Sequence, residues 1–66
     1  MDINDVCNMK TSTPNKYWKG TVEKVSIDSK NNRYVSIIYT VGFEATRTKM
    51  LKETEFIFED DEYWQK

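Results

Sequence analysis

Between Tyr17 and Ile27 the apolar positions keep an alternating rhythm that changes phase once. Trp18, Gly20 and Val22 fall on one face of an extended chain, whereas Val25 and Ile27 fall on the other. A bulge near Glu23-Lys24 would restore a common face and bend the strand. Gly20, inside the strand, predicts a sharp bend or a close backbone approach. Residues 33–40 alternate without interruption: Val35, Ile37 and Tyr39 on one side, Tyr34, Ser36, Ile38 and Thr40 on the other. The polar run from Asp28 to Asn32 between these strands predicts a hairpin turn, with Asn suited to positive φ. Gly42 allows a second tight turn. A third strand is expected from Phe43 to Thr48, a short helical turn at Met50-Leu51-Lys52-Glu53, and a fourth strand at Phe56-Ile57-Phe58.

The leading segment is less determined. Ile3, Val6 and Cys7 have the i, i+3, i+4 spacing of a short helix with Asp2 as a candidate N-cap, but an added strand or disorder also fits. Thr11 to Asn15 is a loop by composition. Short strands at close spacing predict a mainly β fold, closed as a small barrel of four to five antiparallel strands. The expected organisation is an N-terminal segment over 1–15, the barrel over 16–58 and an acidic tail over 59–66.

Composition sharpens this picture. Sixty-six residues make one domain near the lower limit of unaided folding, so a site must lie at the surface or a barrel mouth. The aromatic share of 14% supplies large buried areas from few residues and argues against disorder. The lone Cys7 excludes an intramolecular disulfide and favours a reducing compartment, cytoplasmic or nuclear. No apolar run reaches the length of a membrane span, and the first residues lack a signal-peptide pattern, so an intracellular protein with no membrane partner is expected. The leaning toward Lys, Asn, Ile, Tyr and Phe fits an AT-rich genome such as that of many phages, which would place the chain in the host cytoplasm.

The net charge of −1 conceals an asymmetry. Residues 16–52 carry eight basic side chains against three acidic, a balance of +5, while 53–66 carry six acidic against Lys66, a balance of −5. Enzyme chemistry finds little to work with. There is no histidine, one cysteine and two glycines, so zinc, nucleophile–base and phosphate-cradling constellations are missing. The chain is therefore expected to be a non-enzyme without cofactor or metal. Glu59, Asp60, Asp61 and Glu62 lack the alternation and central glycine of a calcium loop and read as a solvated tail. Lys16, Tyr17, Trp18 and Lys19 interleave aromatic and basic residues, which suits base stacking with phosphate neutralisation as well as ordinary packing under lysine stems.

The run Trp18-Lys19-Gly20-Thr21-Val22, followed by Tyr34 to Tyr39 and Gly42-Phe43, resembles the Tudor-like group of SH3-type barrels, most of all the spindlin-type Tudor repeat. The resemblance covers roughly residues 17–58. It implies an SH3-like barrel in which Trp18 and Tyr39 would contribute to an aromatic cage for a methylated lysine peptide. The remaining rings of that cage have no counterpart here: Glu44 to Arg47 holds no aromatic, and neither does the region of Asn8.

Three functional expectations follow. The first is a protein-interaction module using Tyr17, Trp18, Tyr39 and Phe43 as anchors, with Lys19 and Arg47 at the rim, such as a phage-encoded modulator of a host factor. The second is a nucleic-acid-binding barrel regulated by its acidic tail. The third makes Glu59, Asp60, Asp61, Glu62 and Trp64 a nucleic-acid mimic that occupies a basic groove on a host protein. A monomer or weak dimer is expected, since small open barrels expose edge strands.

Overall fold

The computed structural model describes residues 1–43 and 45–66. Six strands form: β1 (Val6–Lys10), β2 (Tyr17–Ile27), β3 (Arg33–Val41), β4 (Ala45–Lys52), β5 (Phe56–Glu59) and β6 (Glu62–Gln65), with a 3-10 turn at Glu53–Glu55. They make one sheet in the order β4-β3-β2-β1-β6-β5. Neighbours are antiparallel except β1 and β6, which run parallel with Cys7 beside Tyr63.

The long β2 behaves as its pattern dictates. Val22 pairs with Ile37 and Lys24 with Ser36, so Glu23 is the extra residue of a bulge. The slip brings Val25, opposite Val35, onto the face that already carries Val22. Gly20 is where β2 closes on β3. A Cβ there would lie 2.5 Å from the Ile38 carbonyl oxygen and 2.7 Å from the Tyr39 Cβ. Asn31, at φ 65°, turns the β2–β3 hairpin, and Gly42, at φ 68°, turns the next.

The core is one layer of side chains on the inner face: Cys7, Met9, Val22, Val35, Ile37, Leu51 and Phe56, with Met1, Trp18, Val25, Tyr39 and Tyr63 packed against it. Each fully buried aliphatic contributes about 1.5–3 kcal/mol, so a core this small depends on every member.

Several expectations are corrected. The N-terminal helix is replaced by β1, whose Cys7 and Met9 alternate into the core while Ile3 stays exposed. Six strands stand where four to five were expected, and among the described residues no ladder joins β4 to β5, so the sheet is not closed. The acidic stretch is solvent-exposed from Glu59 to Asp61, as expected, but it belongs to the sheet rather than to a tail. Asp60 and Asp61, at φ 53° and 62°, form a tight turn that brings Glu59 opposite Glu62, and β6 then inserts between β5 and β1. The third strand extends to Lys52, and the helical turn moves to Glu53–Glu55. Glu44, within the stretch expected for that strand, lies outside the described residues. No helix among the described residues is long and apolar enough to cross a membrane.

Candidate functional site

Adjacent residues of a strand face opposite ways, and this separates Tyr17 from Trp18. Trp18 shares its face with Gly20 and Val22 and packs half-buried on the core, as does Tyr39, which pairs with Gly20. Tyr17 points to the outer face. There it meets Trp64, which stands beside Asn8 on the far side of β1. The ring centroids are 5.1 Å apart and the planes make an angle of 83°. This edge-to-face contact spans β1, and Asn8 between the two strands is only 3% exposed.

Trp64 is held from a second direction. Its indole N–H donates to the Glu59 carbonyl oxygen at 2.9 Å, tying the ring to the end of β5. Ile57 lies opposite Trp64 on the same outer face and is 45% exposed. Tyr17, Trp64, Ile57, Glu59 and Asp60 together line an open groove of about 300 Å³. Two perpendicular rings, an aliphatic wall and two carboxylate-bearing residues define its chemistry.

The electrostatics are uneven along the rim. Glu62 is committed: its carboxylate accepts from Lys19 Nζ at 2.9 Å and from Asn8 Nδ2 at 3.4 Å. The Lys19 hydrogen bond, then that of Asn8, hold the Glu62 carboxyl below its ordinary value. Asn8 also donates to the Tyr63 carbonyl oxygen at 3.1 Å, so its buried amide has partners. Among the described residues neither Glu59 nor Asp60 is in an ion pair, and both are exposed.

The remaining residues expected at the site are placed apart from it. Trp18 and Tyr39 serve the core face, and the ring contacts are instead Tyr17–Trp64 and Phe58–Tyr63. Phe43 is fully exposed at the β3–β4 turn, and Arg47 is exposed on β4 opposite Tyr39. Asp61 occupies the turn between β5 and β6. A second concavity of about 410 Å³ lies along Thr21, Ile38, Thr40 and Thr46 and includes Lys19, Gly20 and Tyr39, but it has no ring pair. Ile57 was missed as a site residue. The signal was its i, i+2 spacing to Glu59, which puts both on one face, and it became readable only once Trp64 stood opposite.

Cys7 is buried and its thiol is pushed up to about 11, first by burial and then by Asp5, partly offset by the Met1 ammonium. A thiol so protonated is a core side chain rather than a nucleophile. Among the described residues no group of three His, Cys, Asp or Glu side chains is placed to hold a metal ion.

No family model, curated protein or solved structure matches this chain.

Proposed function

We propose that this chain is a non-catalytic protein-interaction module whose contact surface is the Tyr17–Trp64 groove, and that the groove takes a basic side chain of its partner. One observation carries the reading: two rings at right angles stand beside Glu59 and Asp60, neither of which is in an ion pair among the described residues. Ring faces attract a cation by about 0.5–2 kcal/mol, and Ile57 offers an apolar wall for the methylene stem of Lys or Arg. A rim carboxylate adds about 0.2–1 kcal/mol. A lone side chain would therefore bind at about 10 mM or weaker, and useful affinity would come from a peptide with flanking contacts. The methylated lysine peptide stays within this class, with Tyr17 and Trp64 in place of Trp18 and Tyr39.

The bent, bulged β2 and the meander through β3 and β4 support reading the sheet as an opened SH3-like barrel extended by β1 and β6. The nucleic-acid-mimic reading gains from the turn geometry, since Glu59, Asp60 and Asp61 are presented on an ordered hairpin. Both readings call for a basic partner. Calorimetric titration with an arginine- and lysine-bearing peptide separates them: Tyr17→Ala abolishes binding if the groove is the contact, whereas Asp61→Asn, on the turn but not in the groove lining, weakens it if carboxylate display suffices. Equal binding by all variants refutes both.

A further inference from the structure

Among the described residues the strand β4 is hydrogen-bonded on one side only, to β3, and forms one margin of the sheet. Every residue from Ala45 to Met50 is exposed. A margin of this length offers unpaired backbone N–H and C=O groups to another extended chain. We propose that β4 is a docking edge for an extended acidic segment of a protein partner, which adds to the sheet as a further strand.

Charge selects the occupant. β4 contains Arg47, Lys49 and Lys52 and no acidic residue. Among the described residues none of the three is in an ion pair. Arg47 lies opposite Tyr39 and Lys49 opposite Ile37, on the inner face, while Thr46, Thr48 and Met50 alternate to the outer face. Basic residues on an edge discourage pairing with a like strand, because cations would stand directly opposite cations. A second copy pairing β4 to β4 is disfavoured for this reason. The same cations match an incoming strand with acidic residues at alternate positions. Its intervening residues would lie beside Thr46, Thr48 and Met50, where β-branched side chains fit best. Nucleic acid is a poorer match, since a strand edge pairs with a peptide backbone and β4 carries no ring for stacking.

This edge lies at the margin opposite β5 and β6, and the proposal stands without the groove. The test is backbone amide exchange, read residue by residue, with a short peptide alternating Glu and Val. A Lys–Val peptide and oligothymidine serve as comparisons. Protection concentrated in β4 with the Glu–Val peptide alone is expected, weakened about tenfold or more by Arg47→Glu with Lys49→Glu. The reversed variant should in turn accept the Lys–Val peptide. Arg47→Gln with Lys49→Gln gives an intermediate loss and serves if the reversed variant does not fold. No protection of β4, protection by oligothymidine, or protection that grows with protein concentration without peptide would each overturn the proposal.

Discussion

Tyr17 and Trp64 lie 47 positions apart in sequence and meet edge to face across β1, their centroids 5.1 Å apart. The contact joins the start of β2 to β6, the last strand in the chain, so it is both a clasp and the wall of the groove. Such a pair contributes about 0.5–1.5 kcal/mol beyond area burial. A double-mutant cycle of Tyr17→Ala and Trp64→Ala in urea unfolding should show coupling of that size. Trp64→Phe, which keeps a ring but loses the hydrogen bond to Glu59, should cost about 1 kcal/mol. Additive effects would mean that the rings only share space.

The two glycines should respond differently to alanine. At Gly20 the new Cβ meets the Ile38 carbonyl oxygen and the Tyr39 Cβ, both too close to accommodate without moving the β2–β3 pair. The expected loss is at the upper end of the ~1–3 kcal/mol of overpacking, or more. At Gly42 the space is open and only the φ of 68° is unfavourable, so about 1 kcal/mol is expected. Denaturant midpoints of the two variants decide the order, and a milder Gly20→Ala contradicts the close approach.

Asp60 and Asp61 hold a turn in which both central residues have positive φ, a geometry that favours Gly at the second place. Asp61→Gly should raise stability by about 0.5–1 kcal/mol, since it relieves the left-handed backbone and removes one of four clustered carboxyls. A fall in thermal midpoint would argue that Asp61 makes a favourable contact of its own.

Acid should weaken the fold through particular carboxylates. Glu53 is held below its ordinary value of 4.5 by the hydrogen bond from the Met1 ammonium, at 2.6 Å, and by that from Arg33, at 3.2 Å. Asp28 is held low by the backbone N–H of Asn32, then the Asn32 side chain, then the Lys30 N–H. A carboxyl with a lowered folded value contributes stability that is present above its ordinary value and lost as pH falls through the lowered one. Stability should therefore decline below about pH 4.5, and Glu53→Gln should flatten part of that decline while lowering stability at neutral pH. An unchanged acid limb would show that Glu53 has no part in it.

Local chemistry made the middle of the fold legible. The bulge at Val22/Lys24, the turn at Asn31 and the turn at Gly42 are each set by residues within a few positions. The ends were not legible, because β1 and β6 are short and pair with each other across the length of the chain, Cys7 beside Tyr63. The turn before β6 was hidden as well, since two aspartates take the conformations that Asn-Gly would have advertised. The sequence marks Tyr17 and Trp64 as site residues on two separate surfaces. Only the parallel β1–β6 pairing brings them together. Trp18 was the more conspicuous ring, but its shared face with Val22 already implied the core.

The central claim is that the Tyr17–Trp64 groove binds a basic side chain, and its most direct test is an NMR titration that follows the Trp64 indole N–H. N-acetyl-lysine methylamide and its arginine counterpart should shift this signal and those of Tyr17 and Ile57 progressively, with midpoints of about 10 mM or above. The glutamate counterpart should leave them in place. Shifts that centre on Trp18 and Tyr39, or an indole signal indifferent to every cation, would contradict the account.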